Sequence, residues 1–315
     1  MADLKYYIKN INDIFKNESN RYKAHEQCKS LLLEMAKNQS ILFEIIKQNI
    51  EKPDFFQQKR INPVIALDIE TNETVSFVAH CWMPLPDKRN DITHQSIHHH
   101  GKLLLTSVSA FGSGYESIIF KKNYTTDKKT GITSILVDKQ YSNPYLNIEF
   151  IDINTPHVVF YPSEFSITYA LWTNVEGATS ETIKKIGFIK RYKKQLRKMI
   201  DFFGVAKLLG LNTNEYLDFY PDKNKIIALK NRVMYPVGSN KSFLYGFFSL
   251  LQQVKYDGIK SLETALNKNQ KDNKLVVKDL FEKFNTNANI SDEFEKQHLN
   301  IKYINFEKKI LLECF

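Results

Sequence analysis

The chain contains eight histidines, and their placement matters more than their number. His80, His94, His98, His99 and His100 fall close together, and His157 follows further on. The triple lies mid-chain, where a purification tag would not sit. On an extended strand successive side chains alternate faces, so His98 and His100 point one way and His99 the other. Two imidazoles on one face, two residues apart, can share a cation, and a third from a later strand can complete the set. A lone buried histidine usually makes only a hydrogen bond; this combination points to ligands. His98, His100 and His157 are therefore expected to form a metal site. His94 is an alternative ligand, weighed against a surface role, and Glu116 is a candidate to approach the metal from the next strand.

Three zones of the sequence would position these residues. Residues 1 to about 55 read as helical, because Leu31, Leu32, Leu33, Met35, Ile41, Leu42, Ile45 and Ile46 recur at threes and fours. Asn38 and Ser40 offer a break or cap there, and Pro53 ends the zone. From about 56 to 178 short strand-like runs take over: Val75–Ala79, Leu103–Val108, Ser117–Phe120, Ile132–Val137 and Phe165–Ala170. Turn residues separate them, among them Gly112-Ser113-Gly114 and Ser142-Asn143-Pro144. Even spacing of short strands points to a sandwich or small barrel, whose interior would shield a metal. Residues 179–315 return to helical patterning, with helices expected at Phe243–Val254 and Leu275–Phe284. The stretch from Asn212 to Asn240 is less regular, and Asn267–Asn273 reads as a polar connector.

Composition narrows the function classes. The 315 residues are 43% hydrophobic, enough for a sizeable core. No run reaches the ~18 apolar residues of a membrane span. The opening Met1-Ala2-Asp3-Leu4-Lys5 lacks the apolar stretch of a secretion signal, so a cytoplasmic location is expected. Cys28, Cys81 and Cys314 are too scattered for a disulfide framework or a cysteine zinc site. The net charge of +9 owes much to Lys184–Lys198. There Ile186, Ile189, Leu196, Met199 and Phe203 recur at helical spacing, so the basic residues form a solvated outer face, and a nucleic-acid partner is not expected.

The wider context resembles the cupin superfamily, and within it the three-histidine thiol dioxygenases typified by cysteine dioxygenase. One resembling segment is Phe77-Val78-Ala79-His80-Cys81-Trp82, followed by Gln95-Ser96-Ile97-His98-His99-His100-Gly101. The other is Pro156-His157-Val158 ahead of Ser166-Ile167-Thr168-Tyr169. The resemblance spans roughly residues 75 to 175. It implies an α+β protein with a cupin-type antiparallel β-barrel, the double-stranded β-helix, flanked here by N- and C-terminal helical regions. It also implies Fe(II) on His98, His100 and His157. Leu103, Leu104 and Leu105 stand where many cupins place a glutamate, which fits the all-histidine branch. Three neutral imidazoles leave the ion its full charge and open positions for an anionic substrate and dioxygen.

Where the resembling enzymes carry Ser-x-His-x-Tyr, this chain has Thr168 and Ala170 in place of the His and Tyr. The crosslinking cysteine has no counterpart after His100, so cysteine itself is a doubtful substrate. Tyr169 is the expected acid–base residue and Arg60 the expected receiver of a substrate carboxylate. Tyr115, Tyr161 and Trp172 are weighed as cavity-lining or core residues. Three functions compete. The first is an Fe(II) oxygenase acting on a small thiol or amino-acid-derived substrate. The second is a non-redox metal lyase or isomerase. The third is a non-catalytic binding module. The helical additions are open to three roles: covering the barrel mouth, forming a homodimer interface, or docking a carrier-bound substrate.

Overall fold

The computed structural model describes residues 2–52, 54–57, 64–84, 96–127, 129, 133–160, 162–175, 215–220, 225–230, 240–269 and 273–291. Arg60, His94, Tyr161, Cys314 and the Lys184–Lys198 segment lie outside them.

Three helices open the chain: α1 (Leu4–Asn17), α2 (Arg21–Lys37) and α3 (Gln39–Ile50). Each starts on a side chain that accepts from backbone N–H groups of the first turn: Asp3, Asn20 and Asn38. Asn38 thus sets the break expected there. Along α1, Leu4, Tyr7, Ile11 and Phe15 recur at threes and fours and are buried.

Eight of the strands pair in a nested order. They are β2 (Val75–Trp82), β3 (Ser96–His99), β4 (Leu103–Phe111), β5 (Glu116–Phe120), β8 (Val137–Ser142), β9 (Ile148–Ile151), β10 (His157–Val159) and β11 (Ser166–Asn174). The first pairs with the last, β2 with β11, then β3 with β10, β4 with β9 and β5 with β8, all antiparallel. This winding of two paired chain halves is the double-stranded β-helix, and the fold is α+β of cupin type. One sheet runs β1-β2-β11-β4-β9, with β1 (Val64–Thr71) at its edge. The other runs β13-β12-β3-β10-β5-β8. Here β12 (Glu215–Tyr220) and β13 (Lys225–Lys230) come from the stretch that reads as irregular in the sequence. A small ribbon joins β6 (Thr125–Thr126) to β7 (Thr133–Ser134). It splits the expected Ile132–Val137 strand: Ile135 is buried, Leu136 is exposed, and β8 begins only at Val137.

Alternation decides what each face does. Phe77, Ala79 and Cys81 of β2, Val108 of β4, and Ile167, Tyr169 and Leu171 of β11 join one core with α1–α3. The other face of the same strands looks toward the second sheet. Three later helices complete the covering: α4 (Asn240–Gln253), α5 (Ile259–Asn269) and α6 (Lys274–Asn285). The sequence places α5's last residues in a connector, but the helix runs through them to Asn269. Phe55 and Phe56 pack edge-on against Phe247, and Phe55 against Phe243, which seats α4. No helix among the described residues is long and apolar enough to cross a membrane.

Candidate metal centre

The pairing of β3 with β10 brings the histidines together. His157 is the cross-strand partner of His98, and the turn after β3 returns His100 to the same side. Ring centroids are 4.5 Å apart for His98–His157 and 4.9 Å for both His98–His100 and His100–His157. One ligand atom from each ring lies within 4.8 Å of the others. His99 points the other way, and its Nδ1 accepts from Gly101 N.

The hydrogen bonds define what these rings offer. The Thr155 carbonyl can only accept, so the 3.0 Å contact from His157 Nδ1 places a hydrogen on that nitrogen. His157 Nε2 then presents a lone pair, and it stands 3.2 Å from His100 Nε2. Metal–imidazole bonds of about 2.1 Å at ordinary coordination angles put two ligand nitrogens roughly 3.0 to 3.4 Å apart. Burial pushes the His157 imidazole down to about 4, with the Thr155 carbonyl partly opposing, so the ring stays neutral as a ligand must. No carboxylate joins the group among the described residues. An all-imidazole set of this kind suits a divalent transition metal, and the residues present fit one.

The three rings open into a cavity of about 380 Å³ between the sheets. Trp82, Tyr115, Leu105, Ile151 and Val159 make much of its wall, and Trp172 stands with its ring 4.5 Å from that of His100. Ser242, Phe243 and Gly246 of α4 close one side. Beside the three histidines, polar groups are few: His80, Ser107, Thr168, Tyr115 and Ser242. Burial raises the Tyr115 phenol, opposed by Ser107, Tyr141 and Asn143 nearby. Such a mostly apolar hollow with a few convergent polar groups is the usual form of a small-molecule site.

The structure brings His98, His100 and His157 together with Tyr115 and Trp172. It does not bring Tyr169 to them. Thr168, Ala170 and Trp172 line the cavity, so the residue between them on β11 faces the helices. Tyr169 packs edge-on with Phe77 in that core, and burial drives its phenol far above the ordinary range. It has no access to a ligand beside the histidines. Glu116 is exposed and stays off the cavity, and Cys81 is a buried free thiol of the core. Sequence reasoning left three features unassigned: the inward His80, the Ser107 hydroxyl and the contribution of α4. The first two were open to the alternation rule.

No family model and no curated protein matches the sequence. Among solved structures, the chain is similar to a Klebsiella pneumoniae protein with a double-stranded β-helix domain. Identity is 13%, coverage is 40% of this chain and 90% of that one, and the TM-score is 0.23. It is also similar to an RmlC-like cupin from Shewanella frigidimarina, at 12% identity, 36% and 78% coverage and a TM-score of 0.22. An oxalate decarboxylase from Lactobacillus farciminis aligns at 9% identity, 38% and 30% coverage and a TM-score of 0.23. The fold is established by the nested strand pairing of the chain itself.

Proposed function

We propose that the protein is an Fe(II)-dependent oxygenase acting on a small polar substrate, a thiol or an amino-acid derivative. The observation that carries this reading is the trio of clustered imidazoles, two buried and one half-buried, free of any carboxylate among the described residues, at the wall of a ligand-sized cavity. Fe(II) held there supplies open positions for a substrate heteroatom and for dioxygen. His98, His100 and His157 hold the ion, and the Thr155 carbonyl fixes the tautomer of His157. Trp82, Trp172 and Phe243 exclude water from the reacting end. Arg60, in the segment leading into β1, is the proposed receiver of a substrate carboxylate; Val64 at the start of that strand lines the cavity.

Tyr115 supports a second reading. Its phenol lines the same cavity, and a metal acting as a Lewis acid beside a tyrosine acid–base would make a lyase or isomerase. Anaerobic purification followed by elemental analysis separates the two. Near-stoichiometric iron, with oxygen consumed on addition of a thiol or amino acid, is expected. Zinc or nickel with activity independent of oxygen would overturn the oxygenase in favour of the second reading.

A further inference from the structure

The three-histidine group leaves a fourth imidazole of the same cavity unaccounted for. On β2, alternation turns Val78, His80 and Trp82 inward while Phe77, Ala79 and Cys81 join the helix-side core. The cross-strand neighbours of His80 are Ala66 on β1 and Thr168 on β11, neither of them ionisable. The Trp82 ring meets it edge-on at 5.9 Å. Trp82 Nε1 is already committed to Thr168 Oγ1 at 2.9 Å.

The His80 side chain makes no hydrogen bond to any described residue; its ring contact there is with Trp82. The more deeply buried imidazoles differ. His25 is held at both nitrogens by Thr106 and Thr173, His99 accepts from Gly101, and His157 donates to Thr155. His80 is half-buried, and its ring is reached from the cavity it lines. A ring with no hydrogen-bond partner among the described residues, facing a cavity, is open to a partner that arrives from solution. It is also distinct from the ligand cluster, whose atoms lie within 4.8 Å of one another and do not include it.

We propose that His80 is a ligand-binding residue, its imidazole hydrogen-bonding a hydroxyl of a small molecule whose other end rests at the three-histidine group. The second half of that statement rests on the metal reading above. Burial pushes the His80 ring down to about 4, which leaves one N–H donor and one bare nitrogen acceptor. A hydroxyl both donates and accepts and can use either nitrogen; a carboxylate can use only the N–H and meets no cationic side chain among the described lining residues. The other titratable groups lining the cavity, among the described residues, are Tyr115 and the three histidines. The lining residues from β1, β4 and α4 (Val64, Ile65, Ala66, Leu105, Ser107, Ser242, Phe243 and Gly246) carry no charge that would hold an imidazolium. On this proposal the substrate is a small thiol or related metal-binding molecule that bears a hydroxyl.

The test uses the full chain loaded with Zn(II), with thiol pairs that differ only by hydroxyl against methyl. These are 2-mercaptoethanol with propane-1-thiol, and 3-mercaptopropan-1-ol with butane-1-thiol. Calorimetry gives the dissociation constants, and elemental analysis gives the zinc content. The wild type is expected to prefer the hydroxylated member of one pair by about 2- to 10-fold, the worth of one hydrogen bond. His80→Leu should abolish the preference while zinc stays stoichiometric. His80→Asn keeps polarity but shortens the reach; it should lose the preference too, and it carries the comparison where the leucine variant does not fold. An equal preference in wild type and variants, or none in the wild type, overturns the proposal and leaves the metal reading intact. Zinc lost from a folded His80 variant also overturns it, since His80 would then be a ligand. Failure of the wild type to bind zinc removes the metal reading and this inference with it.

Discussion

His100 and His157 face each other through their Nε2 atoms at 3.2 Å, and the hydrogen bond from His157 Nδ1 to Thr155 leaves the nearer nitrogen of His157 bare. That bare nitrogen can accept a hydrogen from His100 Nε2 or, with the His100 nitrogen also bare, share a metal ion with it. A metal ion that binds only the folded chain stabilises it by about 3 kcal/mol at a hundredfold excess over Kd. Thermal unfolding should therefore shift upward on adding Fe(II) anaerobically, and back on adding a chelator. In His98→Ala, His100→Ala and His157→Ala the shift should vanish while the metal-free unfolding temperature changes little. A shift of wild-type size in any of the three would exclude that residue as a ligand.

The two tryptophans of the chain, Trp82 and Trp172, both line the cavity, but only Trp172 meets a ligand ring, at 4.5 Å from His100. Co(II) quenches nearby indole emission over short distances. Titration with Co(II) should quench wild type and Trp82→Phe strongly and Trp172→Phe far less. Equal quenching in the two variants would place the ion elsewhere.

His25 joins α2 to the first sheet, its Nδ1 and Nε2 lying 2.7 and 2.8 Å from the hydroxyls of Thr106 and Thr173. Burial, with Arg21 nearby, pushes this imidazole down to about 4. The unfolded chain takes up a proton near the ordinary value of 6.5 and the folded one does not. Stability from this residue is thus present above about pH 6.5 and lost as pH falls toward 4. Between pH 7 and pH 5 the loss should be about 2 kcal/mol. Urea midpoints at the two values, compared with those of His25→Gln, isolate this share; an undiminished pH response in the variant would refute it.

Gly112 and Gly114 turn the chain between β4 and β5 at φ of +75° and +81°. A Cβ on Gly114 would run into the Asn143 carbonyl, and one on Gly112 into that of Phe165. Gly114→Ala should cost more than the ~1 kcal/mol of an unstrained glycine change, because conformation and contact both oppose it. Ser166 fastens the same turn, its Oγ accepting from Gly114 N at 2.9 Å and donating to Gly114 O at 3.1 Å. Ser166→Ala should lower the unfolding free energy by about 1–3 kcal/mol. A midpoint unchanged in either variant would count against this account of the turn.

The metal group was legible because alternation along a strand needs no knowledge of the partner strand: His98 and His100 had to share a face. The same rule bears on Tyr169. Once Thr168 and Ala170 are set toward the cavity, the residue between them must face away, and motif resemblance obscured that simple parity. His80 was equally open to it, two residues before Trp82 on an inward-facing set. What composition could not convey was long-range packing. Nothing local in Asn212–Asn240 announces that β12 would pair with β3, and nothing in α4 announces which cavity Phe243 would meet. Pairings across such sequence distances are decided by the folded whole.

The cavity wall contributed by α4 divides the labour of the site between separate stretches of chain. The three histidines come from the barrel, whereas the room left for a guest is partly written in a helix far downstream. Enlarging Gly246 or trimming Phe243 would then retune which molecules enter without touching the imidazoles. Selectivity for the guest can thus be changed at the shutter while the hearth is kept.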